Sequence, residues 1–188
     1  MRITFNELVN RFKSPDGFSM LFKRYLAANG ARVSVEKTIA QASFFHAKAI
    51  GTNTTFFSGS TASSATNFTN LNDFVRNEGE HMMINSIQIS TGVNAAITAV
   101  LWLEGAGTVA NDNNGTLSLV NNGVTVLSKY DLGQFKTGLT TADDGVVNLV
   151  EPIIWRGQTP CEATIIVPAA PAANSCIKIN YNGMALVS

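Results

Sequence analysis

Two histidines (His46 and His81), two cysteines (Cys161 and Cys176) and one acidic run (Glu78-Gly79-Glu80-His81) are the residues here best suited to catalysis or metal binding. A metal centre needs several such ligands converging on one point. The histidines stand 35 positions apart. In the acidic run, successive side chains alternate across a strand, so its three ligands divide between opposite faces. The run reads instead as a solvated turn leading into a strand. His46, within Phe44-Phe45-His46-Ala47, reads as a partly buried strand histidine. A cysteine or serine nucleophile requires a paired histidine and an orienting carboxylate. Cys161 lies between Pro160 and Glu162, Cys176 opens a strand, and neither has a histidine nearby in sequence. Asp143-Asp144-Gly145 has the composition of a turn. The chain carries no phosphate-binding loop, no dinucleotide fingerprint and no zinc spacing. The expectation is a protein that is not an enzyme, with no cofactor, no metal and no small-molecule substrate.

Aromatic residues offer a second kind of chemistry. A glycan-binding sandwich stacks sugars on exposed tryptophans. Trp102 lies in an apolar run and reads as core. Trp155, followed by Arg156-Gly157-Gln158, reads as a strand end and is the candidate sugar platform.

The elements that would position these residues fall into two parts. Residues 1–30 are helical in pattern. Phe5, Leu8 and Phe12 form one apolar stripe, and Phe18, Leu21, Phe22 and Tyr25 form another. Thr4 and Glu7 have capping-box spacing. Ser14-Pro15 opens a second helix and Asn29-Gly30 ends it, so helices are expected at 4–13 and 15–29. From residue 31 the pattern is β, with roughly eight to ten short strands. The sharpest is a hairpin, Thr116–Val120 and Val124–Ser128, around Asn121-Asn122-Gly123. Ala96–Glu104, apolar on both faces, reads as a central strand. Pro168 and Pro171 mark a loop. The long connections at 58–70, 104–115 and 130–144 fit a jelly roll better than an up-and-down barrel. The expected architecture is mainly β: an antiparallel β-sandwich (a single jelly roll) over 31–188, preceded by a two-helix N-terminal arm over 1–30.

Composition says how such a chain behaves towards its neighbours. Charged residues make up 14% of its 188 residues, against roughly 25% in an average domain. Asparagine and threonine, 19 and 18 residues, take their place. Composition of this kind excludes a disordered tail, and two cysteines exclude a disulfide scaffold. The zero net charge hides an asymmetry. Residues 1–37 carry seven basic and three acidic residues, and residues 38–188 carry six and ten. A surface poor in charge favours association.

One stretch resembles a family. Thr54-Thr55-Phe56-Phe57-Ser58, a Ser/Thr loop, Thr69-Asn70-Leu71, and then Glu78-Gly79-Glu80-His81-Met82-Met83-Ile84-Asn85-Ser86-Ile87-Gln88-Ile89 look like the jelly-roll capsid proteins of tailless icosahedral bacterial viruses. Major capsid proteins of that lineage usually carry two jelly rolls, and this chain has room for one. It is therefore similar to a single-jelly-roll shell protein or a minor vertex protein. The resemblance implies a virion protein made in the host cytoplasm, built as trimers or pentamers of itself beside other virion proteins, with the N-terminal segment on the inner side. The residues expected to tie subunits together are Phe5, Leu8, Phe12, Phe18, Leu21, Phe22 and Tyr25. Arg11, Lys13, Lys23, Arg24 and Arg32 would face the interior, towards genome or an internal membrane. The alternative is a receptor- or glycan-binding sandwich, such as a virion spike, using Trp155.

Overall fold

The computed structural model describes residues 15–28, 30–33, 38–59, 61–64, 66–104, 114–135 and 145–187. Among the described residues one α-helix, α1 (Pro15–Ala28), precedes ten strands: β1 (Thr38–Ala49), β2 (Asn53–Phe56), β3 (Asn67–Thr69), β4 (Met82–Val93), β5 (Leu103–Glu104), β6 (Thr116–Asn121), β7 (Val124–Asp131), β8 (Val146–Trp155), β9 (Cys161–Ile166) and β10 (Ser175–Val187). The helix expected at 4–13 lies outside the described residues.

Every pairing is antiparallel. The larger sheet runs β3-β1-β10-β4-β5, with β8 also paired to β4, and the smaller runs β2-β9-β6-β7. Four pairs nest inside one another along the sequence: β1 with β10, β2 with β9, β4 with β8, and β6 with β7. The first and third lie in the larger sheet, the second and fourth in the smaller. The chain behaves as one long hairpin, folded at the β6–β7 turn and wound so that its successive pairs alternate between two layers.

The alternating strand pattern explains why the layers face each other. Ile84, Ile87 and Ile89 of β4 and Ile177, Ile179 and Tyr181 of β10 meet Leu117 and Leu119 of β6 and Ala163 and Ile165 of β9 in one core. Phe56, Phe57, Phe74 and Trp155 fill its end. The β6–β7 turn is the expected hairpin. Asn122 and Gly123 have φ of 51° and 76°, the left-handed pair that suits the twist of two joined strands.

α1 rests on the outer face of the larger sheet. Phe22 and Leu26 are buried there with Met83, Leu186 and Ala31, flanked by Tyr25, Ile39, Ile154 and Met184. Its end is closed by Gly30, at φ 78°. The Gly30 N–H reaches the Ala27 carbonyl and the Ala31 N–H reaches that of Leu26, both at 3.0 Å, which is the Schellman arrangement. No helix of the described residues is long and apolar enough to cross a membrane.

The expected central strand at 96–104 is not formed. Residues Ile97–Ala99 make a 3₁₀ turn, and pairing is confined to Leu103–Glu104 at the sheet edge. Asn94 is the cause. Its Oδ1 accepts the Ala96 N–H at 3.0 Å and its Nδ2 donates to the Ala99 carbonyl at 3.1 Å. A short amide that binds nearby backbone offers the chain an alternative to the sheet ladder. The apolar run then points outwards in part, and Leu101 is 86% exposed.

Candidate assembly interface

Both histidines are committed to holding the backbone together. His46, on the inner face of β1, is fully buried. Its Nδ1 accepts the Phe57 N–H at 2.6 Å, and its Nε2 meets Asn67 Oδ1. The first bond fixes the second as a donation, so the ring is neutral with its proton on Nε2. Phe74 stacks on the ring at 4.6 Å, and Phe56 and Phe57 meet it edge-on. Burial among these rings pushes its pKa down to about 4, with the Lys48 charge a smaller contributor and the Asn67 bond opposing. His81 repeats the arrangement at the entry to β4. Its Nδ1 accepts the Gly157 N–H at 3.0 Å, and its Nε2 meets the Arg32 carbonyl. It joins the chain after α1 to the turn between β8 and β9. Glu78 and Glu80 do not converge on it. Glu78 is exposed and pairs with Arg32 at 3.7 Å, and Glu80 lies 4.0 Å from the Arg76 guanidinium. Among the described residues no group of three or more His, Cys, Asp or Glu could hold a metal ion.

Cys161 and Cys176 are buried free thiols. Burial raises the thiol pKa of both, far more strongly at Cys161, and the thiolate is the reactive form. Cys161 is therefore expected to resist Ellman's reagent at pH 8 in the native protein and to react fully in 6 M guanidinium. Rapid native labelling at Cys161, read by peptide mass mapping, would show that this part of the core opens. Arg76, missed by the sequence reading, is a buried clamp. Its Nε donates to the Glu80 carbonyl at 3.1 Å and its Nη2 to that of Leu186 at 3.4 Å, while the guanidinium lies over Phe44 at 4.6 Å.

The sugar platform expected at Trp155 is overturned. The ring is fully buried between the sheets, edge-on to Phe57 and Tyr181, and its Nε1 donates to the Thr159 carbonyl at 2.8 Å. Strand alternation carries it inwards, so it presents no face to a ligand. Trp102, expected as core, is half-buried on the outside of the larger sheet with Lys178 Nζ over its ring at 5.1 Å.

Of the arm residues, Phe22 is buried against the larger sheet of its own chain and Tyr25 packs beside it. Phe5, Leu8 and Phe12 lie outside the described residues, as do the side chains of Phe18 and Leu21. Of the basic residues, Arg24 and Arg32 are exposed and Lys23 is half-buried, while Arg11 and Lys13 lie outside the described residues.

What the surface offers is contact. The outer face of the larger sheet is a polar row, with Ser43 donating to Asn182 at 2.6 Å and Asn180 to Gln88 at 3.0 Å. A shallow hollow of about 320 Å³ beside it is lined by Gln41, Asn85, Ser86, Asn182, Gly183 and Met184. Exposed large apolar residues gather at strand edges and ends: Val124 and Val126 on β7, Val150 on β8, and Val93, Leu101 and Leu103 where β4 meets β5. An apolar strand edge is suited to burial against another surface. No family model, curated protein or solved structure matches the chain.

Proposed function

We propose that the chain is a structural virion protein, a single jelly roll that assembles with copies of itself into an icosahedral shell. The observation that carries the reading is the nesting of β1·β10, β2·β9, β4·β8 and β6·β7, alternating between the two sheets. A hairpin ribbon wound in this way is the jelly-roll architecture, which capsid proteins, lectins and cupins share. Fold alone does not choose among these. Two further observations favour the shell. Among the described residues, His46, His81, Cys161 and Cys176 are committed to backbone contacts and core packing, and the β region carries 16 charged residues in 151, so little keeps identical copies apart. On this reading trimers or pentamers are the building units, other virion proteins are neighbours, and the segment before β1 lies towards genome or membrane.

The deciding experiment is the mass of the purified full chain by light scattering, with negative-stain imaging. Rings, shells or a defined trimer or pentamer are the expected result. A chain that stays monomeric at every accessible concentration overturns the reading.

A further inference from the structure

We propose that the hollow over the buried Arg76 guanidinium binds a neutral sugar ring, held by the segment between β3 and β4. Such a site goes beyond the assembly reading and stands whether or not the chain associates with itself.

The site begins with an incompletely used side chain. The Arg76 side chain is 5% exposed, and the carboxylate that pairs with it, Glu80, lies 4.0 Å from Nη2. Its Nε donates to the Glu80 carbonyl and its Nη2 to that of Leu186. A guanidinium carries five N–H donors, two of them on Nη1. Among the described residues Nη1 meets no acceptor. Burial lowers the pKa of the group, and the Glu80 charge offsets this only in part. The enclosed polar atoms that lack a partner among the described residues are Asn85 Oδ1, Asn121 Oδ1 and Ser175 Oγ. Nη1 is not one of them, so it keeps an opening. Arg76 lines a hollow of about 310 Å³, at the small end of ligand-binding cavities.

The sequence builds the rim by turning residues alternately in and out. Leu71, Phe74 and Arg76 are buried, while Asn72, Asp73, Val75 and Asn77 are exposed. The segment is pinned at each step. Thr61 Oγ1 donates to the Asn72 carbonyl at 2.8 Å, and Asp73 Oδ1 accepts the Val75 N–H at 3.0 Å. The Arg76 carbonyl accepts the Gln158 N–H at 2.7 Å, and Asn77 Nδ2 donates to Glu80 Oε2 at 3.3 Å. A rim fixed in this way loses little conformational freedom on binding. Asn72 and Asp73 line the same hollow as Arg76. Among the described residues the Asn72 side chain and Asp73 Oδ2 have no partner.

The mixture of groups selects the ligand. Arg76 Nη1 and the Asn72 amide donate, while Asp73 Oδ2 and the Asn72 side-chain carbonyl accept. A hydroxyl does both. An oxyanion has no hydrogen to give Asp73 and is repelled by it and by Glu80, and a cation is repelled by Arg76. A sugar ring, with hydroxyls on neighbouring carbons, presents donors and acceptors side by side without charge. Phe44, half-buried under the guanidinium at 4.6 Å, and Val75, 40% exposed, add apolar wall to the same hollow for the C–H face of the ring. A shallow site for one ring binds weakly, since few ligand atoms are covered.

Saturation-transfer NMR on the full chain tests this, because it reads weak ligands on a protein of any assembled size. The probes are the methyl glycosides of glucose, galactose, mannose and N-acetylglucosamine, with acetate as the anion. The expected result is saturable transfer to at least one glycoside and none to acetate. Asn72→Ala and Asp73→Asn, which keeps an oxygen for the Val75 N–H, should each weaken that binding about threefold or more, with unchanged thermal midpoints. Thr98→Ala, exposed and outside the hollow, should leave it unchanged. Transfer to no glycoside overturns the site. Glycoside binding that N72A and D73N both leave intact also overturns it, because the sugar would then lie elsewhere. Binding of acetate in preference to every glycoside overturns the neutral ligand.

Discussion

Gly183→Ala is expected to remove roughly 4 kcal/mol or more of folding stability, most of what a marginal domain possesses. The cause is a close approach of two backbones. A Cβ built on Gly183 would sit 1.9 Å from the Met83 carbonyl oxygen, 2.9 Å from its carbon and 3.2 Å from the Asn85 nitrogen. Those atoms belong to β4, which β10 pairs along nearly its whole length, and the register shifts between Asn182 and Gly183. β10 is held on its other side by β1 over twelve residue pairs. Neither strand can back away without breaking a ladder, so the methyl group has no flexible side chain to displace. Gly51→Ala is the control. Nothing lies within 4 Å of its added Cβ, and its effect should stay within about 0.5 kcal/mol. Urea unfolding of the two variants beside wild type gives the answer, and equal midpoints for G183A and wild type would sink the argument.

Gly183 also shows how far the sequence can be read. Its spacing carries no turn signal, because the demand on it comes from a partner strand about a hundred positions away. The local elements were more legible. Asn122-Gly123 announces its hairpin because the two residues suit left-handed backbone, and Pro15 and Gly30 bound α1 by their backbone constraints. The run 96–104 misled because its alternation is real, while the decision is made by Asn94, two residues before it. β1 was legible only in pieces. Its inner face carries Phe44 and His46, and its outer face carries Phe45 and Ala47 beneath Phe68 and Ile97. With both faces covered, polar alternation is lost. The exposed Val150 of β8 had one signal, Glu151-Pro152 inside a strand-like run, since proline there marks an edge or a bulge. Whether Trp155 points in or out depends on the register of β8 against β4, which spacing does not set.

Acidification from pH 7 to pH 4 is expected to cost roughly 3 kcal/mol through His46 alone. In the folded protein its pKa is held near 4, against an ordinary value of 6.5. The unfolded chain therefore takes up a proton as the pH falls through 6.5, while the folded chain takes it up only near 4. Stability is full above pH 6.5, declines across that window and levels below it. The structure explains the reluctance. A proton added to Nδ1 would face the Phe57 N–H, a donor against a donor, in a cage of three phenylalanines. Phe57 raises the stakes. It sits at φ 57°, a region costly for a bulky residue, and its ring stacks on Tyr181 at 4.1 Å. The His46 bond holds that strained residue at the exit of β2, so charging the ring loosens the Phe57 stack as well as the β1–β2 corner. His46→Gln should be less stable than wild type at pH 8 yet flatter between pH 7 and pH 4, so the two curves converge as the pH falls. Urea midpoints at half-unit intervals test this. A wild-type curve that is flat from pH 7 to pH 4.5, or a slope that survives in H46Q, would show that the acid sensitivity lies elsewhere.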